Sequence, residues 1–455
     1  MENIIKKSDS VTWNIFVEYG ASGISIDSRT ISNGECYIAL KGDRCDGHDF
    51  VDEAVRKGAV CAVVDKAYYN RRAENSFSDE LKKKLIPVNN TYDAFCAVAA
   101  DFRKRHDVKC VGITGSCGKT TTKELCAHVL AQKFVVSSTK GNFNNHIGVP
   151  LTLLGLKQED QVLVCEMGAS HKGDIFPLAE LADPDVGIIT NVFPSHLSGF
   201  GSIDAIYRTK LELGEYLDRG MRTLIVNGDD KYLVQEARKL NVSLVTFGKN
   251  NASDFAVTDS RIAEEGTMFT VNGKYNFFLP TIAPQMVENA VASLALADYF
   301  GMDLKSLENI FNEFTFRGGR FEIMRKAPLI INDAYNASPV SFRAALQIFK
   351  KIRIHGKKIV VAGDMRELGD FSYRYHYELA RHIIDSGINL AVLVGNETWV
   401  TYKALEECNH NGIHVHLSSN EDVIAFLRGH IKKADAVLIK GSRGNKLDEV
   451  VAALV

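Results

Sequence analysis

The chain has 455 residues, 45% of them hydrophobic, nine cysteines and a formal net charge of −2 at pH 7. That length suggests roughly three domains with ample apolar material for their cores, and the balanced charge without a basic tract sets nucleic acid aside as a partner. Cysteines scattered without a C-x-x-C pair fit reduced thiols rather than a disulfide frame or zinc site. The first residues, MENIIKKSDSVTW, carry no apolar h-region and no run of about 18 apolar residues occurs, so a soluble cytoplasmic enzyme without membrane contact is expected.

Residues 24–29 (ISIDSR) and 36–40 (CYIAL) read as short strands. The turn-rich 41–48 (KGDRCDGH) follows, then a helix over 50–57 and a strand over 60–64. Asp27, Ser28 and Arg29 sit at a strand end, where an arginine can pair with a diphosphate. An ordinary turn with a solvated arginine would look the same.

From about residue 107 strands and helices alternate, which predicts a mostly parallel sheet covered by helices. It opens with residues 108–125, VKCVGITGSCGKTTTKEL. A β-branched run passes through Gly112, Gly115 and Gly118 into Lys119 and Thr120, with helical sequence beyond. That order makes a phosphate-binding loop: glycines let backbone N–H groups close around oxygens, and the helix N-terminus adds favourable partial charge. Lys119 is placed to reach the β and γ phosphates and Thr120 to offer its hydroxyl to Mg²⁺. The spacing departs from the usual pattern, because Ile113 stands where a glycine is wanted and Gly112 comes one place earlier.

Residues 134–138 read as a strand, and 141–150 (GNFNNHIGVP) as too polar and turn-rich for a core element. Asn142, Asn144, Asn145 and His146 are expected there to face a ligand, with a surface loop of Asx turns as the plain alternative. Residues 161–168 (QVLVCEMG) form an apolar strand ending in Glu166, where doubly wound sheets bind ligands, so this carboxylate is expected to meet Mg²⁺. A second strand over 186–192 leads into Pro194, Ser195 and His196, and a helix over 205–217 carries Lys210, which a solvated helix face would also explain. The alternation continues at 221–229 and 243–248, breaks into an antiparallel excursion over 254–279, and is followed by an amphipathic helix over 286–300 carrying Asn289.

Residues 314–321 (FTFRGGRF) set two glycines between two arginines, a hinge into the last part of the chain. Strands over 329–333, 358–363, 390–395 and 437–442, each followed by a helix, predict a second α/β sheet. Its strand ends carry Asp333, Tyr335, Asn336 and Ser338, then Asp364, Arg366 and Glu367, then Lys440, Ser442 and Arg443. Three polar sets at the strand exits of one sheet mark a site.

Together these motifs resemble the Mur ligases, and among them the members that add D-alanyl-D-alanine. The resemblance is carried by IDSRTISNGECYIALKGDRCDGHDF (26–50), GITGSCGKTTTKE (112–124), GNFNNHIGVPLTLL (141–154), EMGASHKGDI (166–175), SHLSGFGS (195–202), GGRFE (318–322), DAYNASP (333–339), GDMRELG (363–369) and KGSRGNKLDEVV (440–451). These stand in family order over nearly the whole chain, and the offset phosphate loop looks like the family's own version. The resemblance implies an α/β fold in three domains. These are a small N-terminal UDP-substrate-binding domain over 1–106, a central P-loop ATP-binding domain with a mostly parallel sheet over 107–315, and a C-terminal Rossmann-like ligase domain over 316–455. It implies that ATP phosphorylates the terminal carboxylate of UDP-N-acetylmuramoyl-tripeptide, and that the amine of D-alanyl-D-alanine attacks the acyl phosphate, in peptidoglycan precursor synthesis.

Carried over by position, Gly115, Ser116, Cys117, Gly118, Lys119, Thr120 and Thr121 would bind ATP. Asn289 would meet adenine, and Arg320 and Asp333 the γ-phosphate and ribose. Thr120, Glu166, His196 and Lys210 would serve Mg²⁺, Lys210 matching the lysine that the family carbamylates. Lys119, Glu166, His196, Lys210 and Arg320 form the implied catalytic set. Ser28, Arg29, Lys41 and Gly42 would line the UDP site, with Asn142, Asn144, Asn145 and Asn336 also on substrate. At 283–289 (APQMVEN) the chain departs from the family, since Ala283, Gln285 and Met286 replace its usual residues while Asn289 is kept. A monomer is expected. The alternatives are a diaminopimelate- or lysine-adding ligase, a folylpolyglutamate synthetase-like enzyme, or an ATP-binding regulator without ligase activity.

Overall fold

In the computed structural model the described residues are 12–42, 45–73, 78–263, 265–316, 318–408 and 411–455. The N-terminal stretch 1–11, Asp43 and Arg44 of the KGDRCDGH motif, and Arg317 of the expected hinge lie outside them. The chain divides into two compact units. One takes in the described residues up to Gly112 together with Lys133–Met167 and Phe176–Asp185, and the other comprises Ile113–Gln132, Gly168–Ile175 and Val186–Val455.

The first unit opens with a four-stranded sheet of β1 (Gly23–Ser25), β2 (Glu35–Ile38), β3 (Cys61–Asp65) and β4 (Leu85–Val88), in that order and parallel throughout. Strands buried on both faces read as continuous apolar runs, as CAVVD in β3 does. One face packs on Val51, Ala54 and Tyr68, the other on Phe16, Phe95 and Val98 from the helices Trp13–Glu18 and Thr91–Lys104. Strand β5 (Lys109–Thr114) begins in this unit and runs on into the other. Strands β6 (Val136–Ser138) and β7 (Val162–Glu166) pair in parallel with Val136 opposite Val162.

The stretch 141–150, read from sequence as too polar and turn-rich for a core element, differs from that reading in its second half. Asn145 Oδ1 accepts from the N–H groups of Ile147 and Gly148 at 3.2 and 2.9 Å, and a helix, Gly148–Leu154, starts inside the stretch with Gly148, Val149 and Pro150 buried. The polar half is thus the start signal of an apolar helix, because an asparagine that satisfies free N–H groups works as a cap.

In the second unit β8 (Val186–Ile189), β9 (Thr223–Asn227) and β10 (Ser243–Gly248) run parallel, and β11 (Phe255–Ile262) joins β10 in parallel. Strands β12 (Thr267–Val271) and β13 (Tyr275–Leu279) then turn antiparallel, the expected excursion. The helix Pro284–Tyr299 is not amphipathic: Ala290, Val291, Ala292, Leu294, Ala295 and Leu296 are all buried. Its alanines let neighbours approach on every side, which a hydrophobicity pattern at a period of 3.6 residues does not report.

The last sheet orders β14 (Glu322–Met324), β15 (Leu329–Asp333), β16 (Lys358–Gly363), β17 (Leu390–Val394), β18 (Ile413–Leu417) and β19 (Ala436–Lys440) as β14-β15-β19-β16-β17-β18. Only β14 is antiparallel. Neither it nor β18 is legible in the sequence, one being three residues long and the other, IHVHL, polar at alternate positions. Among the described residues no helix is long and apolar enough to cross a membrane.

Candidate phosphate-binding site

Gly118, at φ 81°, caps the helix Lys119–Leu130 from the left-handed region, and Gly115 sits at φ 146°. A Cβ on Gly118 would stand 2.7 Å from Asn289 Oδ1, and one on Gly115 would run into Thr190 Oγ1. Both glycines are therefore required by backbone angle and by close approach. Thr122 N donates to Gly118 O at 2.8 Å, so the N–H groups at the start of this helix have no acceptor within it. Lys119 Nζ folds across the turn and donates to Gly115 O at 2.7 Å and Ser116 O at 3.3 Å. A cation and helix-end N–H groups around one turn constitute an anion cradle.

Arg320 Nη2 donates to Thr120 Oγ1 at 2.9 Å, and its guanidinium lies 3.7 Å over the Tyr335 ring. Gly318 and Gly319 before it sit at φ 73° and 70°. Asp333 Oδ1 accepts from Phe321 N at 3.0 Å, while Lys440 Nζ donates to Asp333 Oδ2 at 2.7 Å and to Asn336 O at 2.9 Å. Burial pushes the Asp333 carboxyl up, and the Lys440 ammonium pulls it the other way. Asp364, grouped by sequence with the site, is instead a helix cap: its Oδ1 accepts from the N–H groups of Glu397 and Thr398, both at 3.0 Å.

Lys210 lies on the helix Ile203–Asp218 and is only 1% exposed, which overturns the solvated-face alternative. Burial and then the charge of Lys119 hold its pKa well below the ordinary lysine range. Glu212, the carboxylate closest in sequence, is taken up by the N–H groups of Gly173 and Ile175 at 2.9 and 3.0 Å. Among the described residues no carboxylate lies within ion-pair distance of Lys210. The Phe200 ring lies 5.6 Å from its Nζ. His196, in the left-handed region at φ 49°, pairs through Nδ1 with Glu367, whose carboxyl is held down by that bond.

In the first unit Glu166 is buried at the end of β7, with Oε1 accepting from Asn144 Nδ2 at 2.6 Å and Oε2 without a hydrogen-bond partner. An orphaned, buried carboxylate oxygen suits a hard cation. Among the described residues no three His, Cys, Asp or Glu side chains gather as a metal site. Mg²⁺ is normally held by one or two carboxylates plus substrate phosphates, so this donor set is compatible with it. Asn142 and Asn145 are exposed on the turn before Gly148. Arg29 is exposed and paired with Asp27, whose pKa drops to about 2 under that bond; Lys41 and Gly42 are exposed and Ser28 is buried.

Profiles of the Mur ligase family match the chain in three pieces: the catalytic domain over residues 21–103, the middle domain over 113–297 and the glutamate ligase domain over 319–443. The UDP-N-acetylmuramoyl-tripeptide–D-alanyl-D-alanine ligase of Bacillus subtilis is 35% identical over 95% of this chain and 93% of its own length. The chain belongs to the Mur ligase family. The Escherichia coli ligase of the same name is 30% identical over 95% of this chain and 93% of its own. Among solved structures, MurF from Acinetobacter baumannii matches with a TM-score of 0.85 at 29% identity, covering 97% of this chain and 98% of that one. MurF from Thermotoga maritima in complex with ADP matches with a TM-score of 0.82 at 28% identity, covering 96% and 97%. The fold is accordingly the three-domain Mur ligase α/β fold, and the chain is a ligase that forms a C–N bond using ATP.

Within this Mur ligase, sequence reading passes over three groups that touch the cradle or its partners. Tyr335 carries the Arg320 stack, Thr190 and Asn191 hold the phosphate loop, and Glu367 meets His196. Tyr335 and Glu367 stand in the strand-exit sets, but nothing in the spacing says which cation each will meet. Thr190 and Asn191 look like the polar tail of an apolar strand, VGIITNV.

Proposed function

We propose that this chain joins D-alanyl-D-alanine to UDP-N-acetylmuramoyl-tripeptide at the expense of ATP, in peptidoglycan precursor synthesis. The observation that carries the reading is full-length likeness to ligases of that name, at 35% and 30% identity, in a chain with a complete phosphate cradle. The proposed domains are 1–106 for the UDP substrate, 107–315 for ATP and 316–455 for the incoming amine. The enzyme is proposed to be a cytoplasmic monomer.

The tripeptide's terminal carboxylate attacks the γ-phosphorus of ATP, the bond from that phosphorus to the β,γ-bridging oxygen breaks, and ADP leaves an acyl phosphate behind. Phosphoryl transfer of this kind needs positioning and charge neutralisation rather than a protein nucleophile. Lys119, Arg320 and the N–H groups of residues 118–121 hold the phosphate oxygens, and Tyr335 keeps the guanidinium flat and aimed. The neutral amine of the dipeptide then attacks the acyl carbon, the nitrogen gives up one proton, and inorganic phosphate leaves as the amide forms. Thr120, Glu166, His196 and a carbamylated Lys210 would hold Mg²⁺, which supplies charge neutralisation at the phosphates when bound. Asn289 and Asp333 are assigned to the nucleoside, Ser28, Arg29, Lys41 and Gly42 to the UDP moiety, and Asn142, Asn144, Asn145 and Asn336 to the remaining substrate contacts.

Phosphate release measured over a panel of UDP-N-acetylmuramoyl-peptides crossed with candidate amines tests the reading. Turnover is expected with the tripeptide and D-alanyl-D-alanine. Turnover instead with the dipeptide acceptor and diaminopimelate or lysine would assign the chain to a sister ligase. A second expectation concerns residues 316–320, where paired glycines give the backbone freedom to turn the last domain as a rigid body. Small-angle scattering should show a smaller radius of gyration once nucleotide and UDP substrate are bound together, and an unchanged envelope would remove the hinge.

A further inference from the structure

Four hydrogen bonds tie two consecutive residues just past β8 to the phosphate loop. Asn191 O accepts from Ser116 N at 2.9 Å, and Asn191 Oδ1 accepts from Cys117 N at 2.9 Å. Asn191 Nδ2 and Thr190 Oγ1 both donate to Cys117 O, at 3.0 and 2.6 Å. Thr190 is itself fixed, its N–H donating to Thr114 O at 3.0 Å and its carbonyl accepting from Asn227 Nδ2 at 3.3 Å.

We propose that Thr190 and Asn191 are positioning residues that set the polarity of the phosphate loop by clamping the backbone of Cys117. Two donors occupy both lone pairs of that carbonyl. In a planar trans peptide the C=O of Cys117 points opposite to the N–H of Gly118. Holding the carbonyl against the β8 exit therefore turns the Gly118 N–H the other way and keeps a partial negative charge off the incoming phosphates. The Cys117 N–H, taken by Asn191 Oδ1, leaves the preceding carbonyl of Ser116 free to accept from Lys119 Nζ at 3.3 Å. The same Thr190 hydroxyl occupies the space a Cβ at Gly115 would need. This accounts for a loop that lacks the usual leading glycine. Ile113 is buried within β5, and the turn after it is shaped from outside by the clamp.

The proposal rests on residues 115–121 being the ATP loop, and the test separates the two. Thr190→Val, Thr190→Ser, Asn191→Leu and, as control, Lys119→Ala are measured for KM of ATP and of UDP-tripeptide, kcat, ADP affinity by calorimetry and thermal unfolding. Leaving a loop carbonyl short of a donor should raise KM for ATP and the ADP Kd roughly 10- to 100-fold in Thr190→Val and Asn191→Leu. KM for the UDP substrate should stay within about twofold. Thr190→Ser, which restores the hydroxyl, should recover most of the affinity lost in Thr190→Val, a result that stands even if Asn191→Leu fails to fold. Wild-type ADP affinity in Thr190→Val, equal rises in both KM values, or no recovery in Thr190→Ser would overturn the clamp. A dead Lys119→Ala beside a normal Asn191→Leu overturns the clamp alone, whereas a normal Lys119→Ala removes the loop assignment and the clamp with it.

Discussion

Replacing Lys119 with alanine should slow amine-dependent phosphate release by about 10³-fold or more while leaving a folded protein. Removing one preorganised donor from a developing charge costs about 10²–10³ in rate, and Lys119 is also the cation that spans the loop, bonded to Gly115 O and Ser116 O. Ser116 is half-buried, so water can replace the lost donor at its carbonyl, whereas Gly115 is buried and its carbonyl loses a donor outright, so a modest loss of stability is expected. Circular dichroism and the thermal midpoint check the fold, and coupled phosphate release checks turnover. Near-normal turnover in a folded Lys119→Ala protein would remove the phosphate loop from the mechanism.

That loop was legible because its function forces a local signature: glycines at φ 146° and 81° next to a lysine that begins a helix. The parallel strands were legible for a different reason, since burial on both faces leaves runs such as VLVCE in β7. What failed was decided at longer range. The helix Gly148–Leu154 lay hidden behind an asparagine turn, because an Asx turn and a helix cap use the same residue and differ only in what the chain does next. Asp364 stood at a strand exit like a ligand-binding carboxylate, yet it caps the helix Thr398–Glu407 more than thirty positions on. The partners of Arg320 and His196 could not be read either: Tyr335 comes beside Arg320 only through the antiparallel pairing of β14 with β15, and Glu367 meets His196 from a different sheet.

Lys210 is where burial most sharpens an expectation that the sequence left open. A lysine on the helix Ile203–Asp218 has the look of a solvated charge, but this one is 1% exposed and finds no carboxylate at ion-pair distance among the described residues. An ammonium taken out of water without an ion-pair partner is costly; burial first and then the Lys119 charge lower the Lys210 pKa well below the usual range, against the smaller opposite pull of Glu212 and Asp174. The direction of that shift makes the neutral amine more accessible than in an ordinary lysine, and a neutral amine is a nucleophile. Its nitrogen can add to CO₂, forming an N–C bond and releasing one proton, which turns a buried cation into a carboxylate-like anion beside the positive charge of the loop. That anion is the form able to hold Mg²⁺. Lys210→Ala should therefore nearly abolish ligation in a folded protein, and short carboxylates added at millimolar concentration should restore part of it. Lys210→Arg should fail as well, because a guanidinium stays protonated and does not take up CO₂. Intact-mass or carbon-13 measurement on enzyme supplied with labelled bicarbonate should show one labelled carbamate per chain in the wild type and none in either variant. Full activity in Lys210→Arg, or in wild-type enzyme rigorously depleted of CO₂, would return Lys210 to a buried amine with no part in the chemistry.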